Sequence, residues 1–180
     1  MRIAFLFLMM LAYPHLAFSD GERFGPDVPM DPAKEWQRRS GDLKVWLALV
    51  EDPHSLGKEW FGTSPYHIPP VYMVSRTRRR EKFSTAVFFS GCAKENMPCA
   101  ATLDFSVVRP DGSIFKESKG NKILIDNVPS PRQALLSDLF ITVELGASAP
   151  PGTYSVIAVF KVDGENQPSV SVRRQIEVSR

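Results

Sequence analysis

Both cysteines of the chain lie in FFSGCAKENMPC, residues 88–99, with six residues between Cys92 and Cys99. Three chemistries are open to such a pair: a metal site, a dithiol redox centre or a disulfide. Zinc takes about four ligands, commonly two Cys pairs or a Cys pair with His at short spacing. Here there is no second Cys pair, and His54 and His67 do not sit at ligand spacing from each other. A redox dithiol favours about two intervening residues beside a helix start, whereas the flanks of this pair read as strands. The pair is therefore expected to form a structural disulfide that fixes the loop AKENMP.

The densest charge run is RTRRREK, residues 76–82. On a strand, Arg76, Arg78 and Arg80 project from one face, a ladder able to meet phosphates or acidic head groups. The competing role is an exposed edge strand whose cations resist edge-to-edge pairing. No aromatic residue interleaves with the run as nucleic-acid platforms require, so the edge role is favoured and no nucleic-acid partner is expected.

A third stretch, EDPHSLGKEWFGTSPYHIPPVYM (residues 51–73), reads as a long irregular loop carrying Glu51, Asp52, His54, Glu59, Trp60, Phe61, Tyr66, His67 and Tyr72. Long aromatic loops on a rigid scaffold are common binding surfaces. Trp60, Phe61 and Tyr66 are the candidate binding residues. Adjacent rings cannot both face inward on a strand, so either one of Trp60 and Phe61 is open to a partner or both cap the end of the fold. A metal site from His54, His67 and a carboxylate has no recognised spacing. The alternative function, a periplasmic hydrolase or metal-dependent enzyme using this loop, therefore has little support. There is no G-x-S-x-G elbow, P-loop or H-E-x-x-H, and no enzyme activity or cofactor is implied.

The elements that must position these residues read mainly as strands. In ATLDFSVV, Leu103, Phe105 and Val107 alternate with polar residues at the period of a half-buried strand. RPDG then makes a turn, and Ser113 to Glu117 return as a hairpin partner. Leu139, Ile141, Val143 and Leu145 share one face of DLFITVEL, as do Val170, Val172, Ile176 and Val178 of SVSVRRQIEVS. Arg174 falls on that same apolar face and is expected to be paired or at an exposed end. GDLKVWLALVED and KFSTAVFFSG are two more strands, the second apolar on both faces near Val87, Phe88 and Phe89 and hence central. No amphipathic helix of about ten residues is evident. In APPGTYSVIAVFKVDG, a Pro-Gly turn feeds a strand beginning at Tyr154, the arrangement of a tyrosine corner. The expected fold is an all-β, antiparallel, immunoglobulin-like sandwich of about seven strands.

The opening MRIAFLFLMMLAYPHLAFSDG has Arg2, an apolar run from Ile3 to Tyr13, a breaker at Pro14, and small residues Ala17 and Ser19 before Asp20. This is a signal-peptide layout over residues 1–19. Residues 20–41, polar and rich in Pro and Gly, read as a flexible lead-in that Trp36 docks, and residues 42–180 as one sandwich domain. With Arg2 removed, the net charge of +2 falls to about +1, too balanced for a whole-surface polyanion binder. No later apolar run is long enough for a membrane span. The mature chain is expected to be periplasmic or secreted.

The strand ending in RPDGSIF, the later PPGTYSVIAVFKVDG and the closing RRQIEVS together resemble the immunoglobulin-like domains of exported bacterial proteins and of the macroglobulin type, over residues 83–180. The resemblance implies a fold and a binding or spacer role, with a protein or envelope component of unknown identity as partner, and it carries no catalytic residue across. The immunoglobulin pattern of one cysteine per sheet with a tryptophan between is absent.

Overall fold

The computed structural model describes residues 29–62, 69–126, 128, 130 and 132–180. The leader, residues 20–28 of the lead-in, Tyr66 and His67 lie outside the described residues.

The period-two segments become strands where their patterns placed them. CAATLDFSVV forms β5 (Cys99–Val108), with every odd residue buried and every even one half-buried. The RPDG turn is locked by Asp111, whose Oδ1 accepts from the Ser113 N–H at 2.9 Å and from Ser113 Oγ at 2.7 Å. The chain returns as β6 (Ile114–Ile125), longer than the hairpin arm expected. The other long strands are β2 (Leu43–Val50), β4 (Lys82–Ser90), β9 (Gly152–Val162) and β10 (Ser169–Ser179). Short strands β1 (Gln37–Ser40), β3 (Arg76–Arg78), β7 (Leu135–Leu136) and β8 (Ile141–Glu144) complete the set.

Two sheets result. The first runs β1-β2-β4, with β7 and β8 both on the far side of β4; the second runs β3-β10-β9-β5-β6. Every pairing is antiparallel except that of β3 with β10. This is the expected all-β immunoglobulin-like sandwich, and β4 is central in its sheet. The inner core draws Leu43, Val45, Leu47 and Phe89 from the first sheet onto Leu103, Tyr154, Phe160 and Val172 from the second. Tyr154 makes the expected corner: its hydroxyl donates to Pro150 O at 3.0 Å.

Two expectations are corrected. The stretch 51–73 is not irregular throughout, because Pro53–Gly62 forms a ten-residue helix, α1. Within it Leu56 and Gly57 are buried and Trp60 half-buried, a single i to i+4 step too short to register as a period. The legible signals were at its start, where Pro53 occupies the first helical position and Asp52 caps it. Asp52 Oδ1 accepts from the N–H groups of His54 and Ser55 at 3.0 and 2.9 Å. Second, Gln37–Ser40, placed in the flexible lead-in, is strand β1 and pairs with β2 from Gln37–Trp46 to Ser40–Leu43.

Helix α1 explains why β2 and β4 are apolar on both faces. A second cluster on the outer face of the first sheet joins Trp46, Ala48, Phe88 and Leu136 to Leu56 of the helix, with Trp36 and Trp60 packed at its margin. Among the described residues, no helix is long and apolar enough to cross a membrane.

Candidate functional site

Helix geometry resolves the Trp60 and Phe61 pair. Successive residues on a helix point about 100° apart, so one ring turns in and the other out. Trp60 lies 4.6 Å, centroid to centroid, from Phe88 on the outer face of β4, while Phe61 is 63% exposed. On the return segment Tyr72 is 60% exposed between buried Val71 and Met73.

Between the start of α1 and this return segment is a groove of about 180 Å³. Val50, Leu56 and Val74 give it an apolar floor, and Glu51, Asp52 and Glu59 stand around it. The cap bonds engage Asp52 Oδ1. His54 is exposed in the first turn of the helix, and no group of three or more His, Cys, Asp or Glu able to hold a metal exists among the described residues. The sequence supplied these carboxylates but not the groove, because its two walls are about twenty residues apart and meet only once the helix folds back.

The arginine ladder is shorter than expected. Arg76 and Arg78 are exposed on β3, with Thr77 buried between them. Arg80 is off the strand: it has φ 69° in the turn to β4, and its N–H donates to Leu145 O at 2.7 Å. The turn places Glu81 back on the strand, where its carboxylate accepts from the Arg78 N–H at 2.6 Å and from Thr77 Oγ1 at 3.3 Å. β3 is an edge strand, as the cationic pattern suggested.

Cys92 and Cys99 are joined, with their Cα atoms 5.8 Å apart. The cystine packs on the inner core, and its loop is pinned by Asn96 N–H to Val128 O at 2.9 Å and by Val128 N–H to Met97 O at 3.1 Å. Register places it away from the groove. Val50, at the groove, pairs with Ser84 near the start of β4, whereas Ser90, at the other end of that strand, leads into the cystine loop. Arg174 meets Trp36, with its guanidinium 5.2 Å from the ring centre.

No family model matches the chain, and no curated protein does. Among solved structures it is similar to a CARDB domain from Pyrococcus furiosus crystallised with di-metal ions, at 9% identity over 84% of this chain and 100% of that one, TM-score 0.41. It is also similar to a putative ApaA protein from Bordetella pertussis, at 12% identity over 77% and 94%, TM-score 0.41. A third is an immunoglobulin-like protein from Pseudomonas aeruginosa, at 13% identity over 75% and 91%, TM-score 0.29. These are likenesses of overall shape and bring no residue role with them.

Proposed function

We propose that the chain is an exported, non-catalytic immunoglobulin-like module that binds a protein or another component of the cell envelope through the 51–73 segment. The observation that carries this reading is Phe61, a large ring 63% exposed on a helix whose neighbouring residue, Trp60, is anchored against Phe88. A rigidly presented exposed aromatic costs little conformational entropy on binding and is the commonest kind of interface anchor. Export is supported by the leader-like residues 1–19 and by the Cys92–Cys99 bridge, which persists in oxidising compartments. The relation to the macroglobulin type belongs to the same reading and rests on the sequence resemblance of residues 83–180.

Phe61→Ser tests the site. Immobilised wild-type protein should retain specific components of an envelope extract, and the variant should lose them while melting at the same temperature as wild type. Equal retention by the variant, or none by the wild type, removes the proposal. Fractionation of expressing cells checks export: processed protein should be released with the periplasmic or secreted fraction.

A further inference from the structure

The charges around helix α1 are sorted by side. At about 100° per residue, Asp52, Ser55, Leu56 and Glu59 fall in one stripe, and all four line the groove. His54, Lys58 and Phe61 fall on the opposite flank, and none of them lines it. Between the two flanks Gly57 lies beside Phe140 and Trp60 against Phe88. The helix therefore rests on the sheet with an acidic flank turned toward the return segment and its cation turned away.

The return segment forms the other wall with Pro70, Val71, Tyr72 and Val74. Glu51 adds a third carboxylate, so the lining holds three acids and, among the described residues, no Lys or Arg. Glu51, Asp52 and Glu59 are exposed, whereas Val50, Leu56 and Val71 are buried. Tyr72 is 60% exposed and offers its ring at the same groove. A volume of about 180 Å³ is below the roughly 300–1,000 Å³ of a small-molecule site. It suits a single long side chain.

We propose that the groove receives an arginine side chain of the partner protein. The methylene stem covers the apolar floor, the planar head meets the rim carboxylates through paired N–H donors, and its face stacks on Tyr72. Lysine would meet the same acids as a point charge, without the paired donors or the stacked plane. An apolar side chain would cover the carboxylates and leave them unpaired, and an acidic one would add like charge. The inference rests on residues 51–73 being a binding surface and adds the chemistry of what binds there. Phe61 and the groove lie on opposite flanks of a helix about 10 Å across, a span that one interface of ordinary size covers.

The probe is the tripeptide acetyl-Gly-Arg-Gly-amide, titrated into isotope-labelled protein and followed by NMR. Amide resonances of Ser55, Leu56, Val71 and Tyr72 should shift together and saturate in the millimolar range. The citrulline tripeptide, which keeps the shape and loses the charge, should barely move them. Glu51→Gln combined with Asp52→Asn should weaken binding by about fivefold, and asparagine keeps the helix cap that Asp52 supplies. Raising salt from about 50 mM to about 1 M should weaken the wild type in the same direction. Phe61→Ser, on the far flank, should leave the titration unchanged. No saturable shift with the arginine peptide overturns the inference, as do equal shifts with citrulline or binding indifferent to the double variant. Either result stands apart from the reading of Phe61, which is decided by retention from envelope extract: a groove that takes the arginine peptide while Phe61→Ser retains every component supports the groove and removes Phe61 alone.

Discussion

The Tyr154 hydroxyl donates to the carbonyl of Pro150, four residues upstream, at 3.0 Å, and its ring is fully buried. That bond fixes the turn entering β9 before the strand takes its place between β5 and β10. Tyr154→Phe keeps the ring and removes the bond, which should cost about 1 kcal/mol in urea denaturation. Burial is the main cause raising the phenol above its ordinary value of 10.0, against opposing pulls from Arg109 and Arg79. With a raised folded value, the folded state holds the proton more tightly than the unfolded chain. This stabilisation is complete below pH 10 and is lost as pH rises through the folded value. Wild-type stability should therefore decline above about pH 10, and the Phe variant should decline less steeply over the same range.

The contact between Arg174 and Trp36 joins the last strand to the segment before the first. The Glu35 carbonyl accepts the Arg173 N–H at 2.9 Å, and the Trp36 carbonyl accepts the Leu47 N–H at 2.8 Å, so residues 35–36 lace the two sheets together along one side. Trp36→Ala should cost about 2 kcal/mol, combining lost packing on the outer cluster with the lost cation contact. A double-mutant cycle with Arg174→Ala should give a coupling of about 0.5–1 kcal/mol by chemical denaturation. Additive effects would show that the ring and the guanidinium do not interact.

Which features could be read in the chain follows from how local their causes are. β5, β10, the RPDG hairpin and the tyrosine corner each depend on alternation or turn residues within about a dozen positions. Helix α1 was missed because one covered step, Leu56 to Trp60, carries no measurable period, and the cap signal at Asp52–Pro53 was outweighed by the Gly and Pro residues that follow. β1 was missed because QRRS has no apolar alternation; its pairing with β2 and the docking of Trp36 determine it. Arg80 left the ladder because the turn to β4 needs a left-handed residue there.

Two glycines of left-handed conformation separate backbone strain from close approach. Gly41 has φ 60° with open space around its α-carbon, whereas Gly91 has φ 74° and a β-carbon added there would overlap the Asp42 carbonyl oxygen. Gly41→Ala should therefore cost only the conformational term, about 1–2 kcal/mol. Gly91→Ala adds a backbone clash between the β1–β2 turn and the exit from β4, and should lose about 3 kcal/mol or more. Equal losses in thermal denaturation would mean that the approach of Gly91 to Asp42 is relaxed at no cost.

The cystine should act on stability and leave the groove alone. It closes a loop with a sequence separation of 7, for which the chain-entropy argument gives about 2–3 kcal/mol. Cys99 is buried at the head of β5 while the loop between the cysteines is largely exposed, so Cys92→Ala with Cys99→Ala avoids burying a hydroxyl and isolates the cross-link. The double variant should unfold at lower urea by that amount. Amide exchange should quicken at Asn96, Met97 and Val128, whose bonds pin the loop, and remain unchanged in α1, at the other end of β4's register. Faster exchange across both ends would show instead that the bridge supports the whole sandwich, with the outer cluster under α1 loosening along with the inner one.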